Sequence, residues 1–311
     1  MRVLLTGASG FIGSHLAVAL AAAGFDLVAQ YRTSLPARVR GLPRVTAFRH
    51  DLREPIVLPR DVETVVHTAA TSPQRGIDPG VVVDDGVVAT ANLLRAATQA
   101  RVKRFLYLSS VSAYGSISAE LVDEDTPRVN PDVYGMSKAI GEELVAASQN
   151  LLGLAIRLPG VVGVGARRNW LADVLGRLRL GQPVSIFNPD AWFNNAVHTD
   201  DLGRFVCGLL GQRWDGFDVV TLGAAGRMRI REIVMRMAAW SMSESPIEVE
   251  ESRRSSFLVS SRRAIDRYGY QPMAISTLIE RYVREEIAAA RLRGPAMQRG
   301  RADAPRQEAT E

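Results

Sequence analysis

The chain has one cysteine, Cys207, in 311 residues. An internal disulfide is excluded, and Cys207 reads as a small, buried apolar side chain in a helix. No apolar run approaches the ~20 residues a membrane helix needs, so no membrane association is expected. The first apolar strand starts at residue 2 or 3, which leaves no room for a signal peptide. These three absences together predict a cytoplasmic protein. Lysine is nearly absent: of 38 basic residues only Lys103 and Lys138 are lysines. The net charge of +5 is modest and no aromatics interleave the arginines. Such a balance predicts solubility and affinity for an anionic small molecule, not nucleic-acid binding. No metal site and no internal repeat is visible. What is present is a chain 47% apolar, long enough for a large core and a second lobe.

The opening stretch is the most informative. Val3 to Leu5 reads as a buried strand, and Ile12, Leu16, Leu20 and Ala23 recur at helical spacing. Between them lie Gly7, Gly10 and Gly13. Gly7 permits a tight turn, Gly10 lets a pyrophosphate approach the backbone, and Gly13 lets the helix pack on the strand. The helix start, with Ser9, Phe11 and Ile12 around it, offers unpaired N–H groups to phosphates.

A second stretch adds chemistry. Tyr134 and Lys138 stand at i and i+4 and share one helix face. A cation beside a phenol favours the phenolate, so the pair predicts a lowered tyrosine pKa and proton exchange near neutrality. Asp132 is placed to cap that helix. Upstream, the apolar run Phe105 to Leu108 ends in Ser109-Ser110.

Together, Thr6-Gly7-x-x-Gly10-x-x-Gly13, Ser109-Ser110-x-x-x-Tyr114-Gly115 and Tyr134-x-x-x-Lys138 resemble the extended short-chain dehydrogenases/reductases. Within that group they are similar to the NAD(P)-dependent nucleotide-sugar epimerases, dehydratases and reductases. The resemblance runs from Met1 to about Arg291. It implies an α/β chain: a Rossmann-like doubly wound parallel sheet with a smaller C-terminal substrate lobe. The expected division is residues 1–165 for the dinucleotide, with later returns of the chain, 166–292 mainly for substrate, and a disordered tail over 293–311. A helix is expected over Gly80 to Ala100, and a Met-rich one over Ile230 to Trp240 whose methionines fill the core.

The resemblance also assigns roles. Ser110, Tyr134 and Lys138 would be catalytic. Asp51-Leu52 would contact the adenine, and Thr68-Ala69-Ala70, Ser109 and Pro159 would lie against the cofactor. Thr71 and Ser72 would face the substrate, joined by Asn169, Trp192 and Asn194. Four departures stand out. Gly86 replaces a family Asn, and Gly160 another. Val111-Ser112 replaces the Asp-Glu of dehydratases, which argues against water elimination. Asn194 replaces an arginine that grips a sugar-nucleotide diphosphate, a task left to Arg167, Arg168 or Arg253. His198 and Asp200 could form a dyad, but capping and bracing of the helix from Asp200 to Leu210 is the favoured reading. A homodimer through the helices near 86–100 and 134–150 is implied by the resemblance alone.

Cofactor choice turns on the end of the second strand, Gln30-Tyr31-Arg32. An acid there usually holds the ribose hydroxyls of NAD; an arginine suits a 2′-phosphate. With Arg32 and no acid, NADP(H) is expected ahead of NAD(H). The favoured function is an NADP(H)-linked reductase of a keto-sugar or related ketone. The alternatives are a nucleotide-sugar 4-epimerase that retains NAD and a non-catalytic nucleotide sensor.

Overall fold

A computed structural model describes residues 1–71, 76–148, 151–251 and 255–293. Ser72, Arg253 and the chain from 294 onward lie outside the described residues. Apolar side chains on both faces mark the strands of one parallel sheet. These are β1 (Arg2–Thr6), β2 (Asp26–Tyr31), β3 (Val45–Arg49), β4 (Val62–His67), β5 (Arg104–Ser110), β6 (Leu152–Leu158) and β7 (Phe217–Thr221). They lie in the order β7-β6-β5-β4-β1-β2-β3. Every neighbouring pair is parallel. Central β1, β4, β5 and β6 are buried along most of their length, as strands covered on both faces must be. Edge strand β3 is half exposed. The chain winds outward in both directions from β1 and β4, so a crevice opens at their carboxyl ends.

Helix α1 (Phe11–Ala22) follows β1 directly. Between β4 and β5 the chain forms α2 (Pro79–Val83), a π-turn over Asp84–Val88, and α3 (Ala89–Gln99). The expected helix over 80–100 is therefore present but widened at its centre, where Ala89 N–H reaches back to the carbonyl of Asp84. Close packing accounts for Gly86 within that turn. A Cβ there would sit 3.0 Å from both Cβ and Oγ of Ser137, which belongs to α4 (Val133–Ala146). Helix α4 starts at Asp132, whose carboxylate accepts from Gly135 N–H at 2.7 Å.

The chain beyond β6 contributes to two cores. Helix α5 (Trp170–Arg179), α7 (Ile230–Ser241) and α8 (Ile275–Arg293) build a second core around Leu175, Ile233, Met237, Leu278 and Tyr282. Helix α6 (Thr199–Leu210) and β7 return to the first core, where Leu202, Phe205 and Val206 pack with Leu16 and Leu20 of α1. Of the two methionines in the expected helix, Met237 is core filling but Met235 is exposed, so that expectation holds only in part. His198 caps α6, accepting from Asp200 N–H at 3.2 Å, and its Nε2 lies 3.1 Å from Glu285 of α8. Asp200 pairs with Arg281. The two residues brace helices and make no dyad.

One buried carboxylate joins four segments. Glu142 of α4 receives Arg157 of β6 through Nη2 at 2.7 Å and Nε at 3.0 Å, and Arg128 at 2.6 Å. Ser109 of β5 donates to its Oε1 at 2.5 Å. Removing one member of a buried ion pair strands the other, at about 3–5 kcal/mol. We predict that Glu142→Ala lowers the unfolding free energy by about that much in urea titrations. A loss below about 1 kcal/mol, the range of an exposed pair, would show that Arg157 finds water instead.

Candidate active site

The crevice at the carboxyl ends of β1, β4, β5 and β6 is a cavity of about 990 Å³. Its floor is the glycine turn. Gly7 has φ +66°, the left-handed region that a Cβ disfavours, and a Cβ there would lie 2.8 Å from the backbone of Ala69. A Cβ on Gly13 would lie 2.2 Å from the carbonyl oxygen of Gly7. Both glycines are required by close approach of chain to chain. Gly10 differs, since a Cβ there meets only the Gly7 carbonyl, at 3.3 Å. It is also the N-cap of α1, with no side-chain cap. The first N–H groups of α1 thus face the cavity without a partner side chain, a site for phosphate oxygens. Ser9, Phe11 and Ile12 line the same wall. These features fit a dinucleotide pyrophosphate.

A chain of polar contacts locks the turn to β4. Thr6 Oγ1 and His67 Nδ1 are 2.7 Å apart, and His67 Nε2 lies 3.0 Å from Thr90 Oγ1. Thr90 in turn donates to the carbonyl of Gly86 at 2.5 Å. Burial lowers the pKa of His67 to about 3, so the ring is neutral and this chain runs in one direction. Thr68 donates to the carbonyl of Thr6 at 2.7 Å, and Ala69 and Ala70 follow along the cavity wall.

The chemistry-bearing side chains converge from β5 and α4. Ser109, Ser110, Tyr134 and Lys138 all line the cavity, as do Leu52 and Pro159. The Lys138 ammonium is buried, donates to the carbonyl of Leu108 at 2.8 Å, and lies 5.8 Å from the Tyr134 ring centroid. Burial lowers its pKa to about 8, against the raising effect of Glu142. Tyr134 departs from expectation. Burial pushes its phenol up to about 12, opposed by a hydrogen bond with Ser110. The sequence-based reading had the lysine lowering this pKa. Desolvation wins because the ammonium spends its contact on a carbonyl rather than on the phenol.

Of the expected substrate residues, Thr71 and Asn169 line the cavity, whereas Asn194 and Trp192 do not. Asn194 is buried in the wall: its amide donates to Val259 O at 2.8 Å and accepts from Val259 N–H at 2.8 Å. It lies outside the cavity lining, as does Trp192, whose ring is flanked by the guanidinium groups of Arg227 and Arg229 at 4.5 and 4.7 Å. Asn169 does line the cavity, yet its amide caps α5 through Ala172 N–H and donates to Val161 O, each at 3.0 Å. Thr71 donates to Asp85 at 2.5 Å, so its hydroxyl serves the corner near Arg32. Arg167 and Arg168 line the mouth, and neither is salt-bridged among the described residues.

The sequence reading missed Arg38, Arg53, Asp85 and Ser112. Arg53 is held to Asp51 at 2.5 Å, which brings that carboxyl down to about 2. Arg38 bonds Ser14 and has no carboxylate partner among the described residues. Ser112 Oγ lies 3.2 Å from Ser110 Oγ. Only Arg53, two residues after Asp51, carried a local sequence signal.

Residues 3–218 match the family model described as the NAD dependent epimerase/dehydratase family. The chain belongs to this family. It is an NAD(P)-dependent enzyme of the extended short-chain dehydrogenase/reductase type, with the Rossmann sheet described above. A UDP-glucose 4-epimerase of Azospirillum brasilense is 26% identical over 81% of each chain. A dTDP-4-dehydro-6-deoxy-D-allose reductase of Streptomyces bikiniensis is 26% identical, covering 91% of this chain and 95% of its own. Among solved structures, MoeE5 in complex with UDP-glucuronic acid and NAD superposes with a TM-score of 0.80 at 25% identity, over 94% of this chain and 100% of the other.

The glycine turn gives a direct test. We predict that Gly13→Ala, whose Cβ would strike the Gly7 carbonyl, costs about 1–3 kcal/mol of stability through overpacking. It should also weaken NADH and NADPH binding together by at least tenfold in equilibrium titrations. Unchanged binding of both would show that the turn does not hold the pyrophosphate.

Proposed function

We propose that this enzyme transfers a hydride between a nicotinamide dinucleotide and a secondary alcohol or carbonyl carbon of a nucleotide-linked sugar, working as a reductase. The observation that carries the reading is the convergence of Tyr134, Ser110 and Lys138 on the cavity whose floor is the glycine turn. Burial keeps the Tyr134 phenol protonated at neutral pH, the form that donates a proton. Reduction of a carbonyl needs that donor. The bound nicotinamide would supply the hydride, and this chain's residues do the rest. Ser110 hydrogen-bonds the oxygen that gains charge. Tyr134 gives that oxygen its proton. Lys138, still cationic at neutrality, stabilises the resulting phenolate and meets the nicotinamide ribose. Gly7, Gly10, Gly13 and the start of α1 bind the pyrophosphate. Val111-Ser112 supply no acid–base pair for dehydration. The nucleotide-linked substrate is supported by the relatives' substrates and by Arg167 and Arg168 at the mouth, which stand in for the family arginine that Asn194 replaces.

A second reading, a 4-epimerase with retained NAD, is favoured by one feature: Asp85 brings a carboxylate to the corner near Arg32. Arg32 remains the sequence-level reason for NADP(H).

Tyr134→Phe should lower kcat by about 10²–10⁴-fold while leaving nucleotide affinity within about twofold. The wild-type rate should fall as pH rises through about 8, because Lys138 is charged below that value and loses its charge above it. Near wild-type turnover by Tyr134→Phe with a keto-sugar substrate would sink the mechanism.

We also propose a homodimer. Val133, Met136 and Ile140 form an exposed apolar stripe on α4, and Val81, Val83 and Val88 extend it from α2 and the π-turn. Exposed apolar side chains gathered on neighbouring elements mark an interaction surface. Met136→Asp with Ile140→Asp should convert the particle to a monomer in sedimentation; a wild-type monomer would refute the interface.

A further inference from the structure

The cavity corner beyond β2 holds four charged side chains on three elements. Arg32 follows β2, Asp51 and Arg53 follow β3, and Asp85 stands in the π-turn between α2 and α3. Arg53 closes on Asp51, with Nε at 3.0 Å and Nη2 at 2.5 Å. Arg32 Nη1 donates to Asp85 Oδ1 at 2.8 Å, and Arg53 Nε lies 3.8 Å from the same oxygen. Thr71 donates to the other oxygen, Oδ2, at 2.5 Å. The Asp85 side chain is only 10% exposed, whereas that of Arg32 is 50% exposed. Two cations thus face two carboxylates, and the formal charge of the corner is zero.

The end of β2 is where a doubly wound sheet meets the adenosine ribose. The glycine turn abuts it here: Gly7 N–H donates to Gln30 Oε1 and Ala8 N–H to Gln30 O, both at 2.9 Å. An acid at this place accepts from the ribose 2′-hydroxyl, and a free arginine accommodates a 2′-phosphate. In sequence, β2 ends in an arginine and no acid. In three dimensions the acid arrives from the π-turn, 53 residues away, and takes the arginine's Nη1. A 2′-phosphate approaching Arg32 meets a cation already neutralised and the Asp85 carboxylate behind it.

We propose that Asp85 decides the cofactor: its carboxylate holds Arg32 and sets the corner for the ribose diol of NAD(H), and Arg32 reads a 2′-phosphate only when that carboxylate is neutralised. The π-turn contributes the geometry, because it aims Asp85 at β2 while Gly86, the next residue, packs against Ser137 of α4. This rests on the dinucleotide reading of the cavity given above.

The test is equilibrium titration of the full chain with NADH and NADPH, read by nucleotide fluorescence, with thermal melting of each variant alongside. Wild type should bind NADH at least as tightly as NADPH. Asp85→Asn keeps size and the contact with Thr71, and should shift the NADPH-to-NADH affinity ratio toward NADPH by at least tenfold, about 1.4 kcal/mol. Adding Arg32→Ala should cancel that gain. Arg32→Ala alone, a half-exposed truncation, should move the ratio by less than threefold, because the guanidinium is already committed. A ratio unmoved in Asp85→Asn overturns the proposal. So does a tenfold loss of NADPH affinity in Arg32→Ala alone, which decides the matter even if Asp85→Asn does not fold. If wild type binds neither dinucleotide, this proposal and the proposed function fail together; if it binds both but the ratio stays fixed, only this proposal fails.

Discussion

The carboxylate of Glu142 is the fixed point of the active-site architecture. It lies one helical turn from Lys138 on α4 and ties that helix to β5 through Ser109 and to β6 through Arg157. A buried carboxylate is costly unless its oxygens are filled, and here three donors from separate segments fill them. Helix α4 is thereby held at one height on the sheet. That height places the Lys138 ammonium under the carbonyl of Leu108 and the Tyr134 phenol beside Ser110. The same carboxylate raises the Lys138 pKa against the stronger lowering effect of burial. Packing and electrostatics of the site thus share one residue, and a one-residue slip of α4 would lose both.

A second constraint runs through neutral groups. Thr6, His67, Thr90 and the carbonyl of Gly86 form a buried hydrogen-bonded chain from the glycine turn to the π-turn. Each buried polar atom in it has a partner, so the chain holds β1, β4 and the π-turn without burying charge. It fixes where the turn ends and where Asp85 begins. The corner at the end of β2 is therefore held by uncharged contacts on one side and by the ion pairs of Arg32 and Arg53 on the other.

Local signals were legible in the sequence; long-range pairings were not. The spacing of Gly7, Gly10 and Gly13 reports a turn whose geometry depends on three nearby residues. The Tyr134–Lys138 spacing reports a helix face in the same way. Asp132 and His198 as helix caps were readable because a cap acts within three residues. The role of Asp85 was not, because nothing beside it in the chain says that an arginine 53 residues earlier lies at 2.8 Å. Asn194 failed for a related reason. Aligned on His198, it occupied a ligand-binding place, but its amide is claimed on both sides by Val259, a contact across 65 residues. Thr71 lines the cavity as expected, but its hydroxyl partner, Asp85, lies 14 residues on and gives no local signal. Buried polar groups look for partners through space, and a linear reading cannot see which it will find.

The direction of the Tyr134 shift has the same origin. From spacing alone, a lysine one turn away makes the phenol more acidic. Inside the protein both groups are desolvated, and desolvation works on them in opposite senses: it opposes the phenolate and it opposes the ammonium. The phenol rises to about 12 while the ammonium falls to about 8. At neutral pH the phenol keeps its proton and the lysine keeps its charge. Attraction between the two grows only when Tyr134 becomes anionic, which is the state left after it has given its proton away. Under the proposed reduction, Lys138 would therefore act on the product of proton transfer more than on the resting site. In the proposed mechanism a pair built in this way would lower the barrier to donation without first creating a buried phenolate.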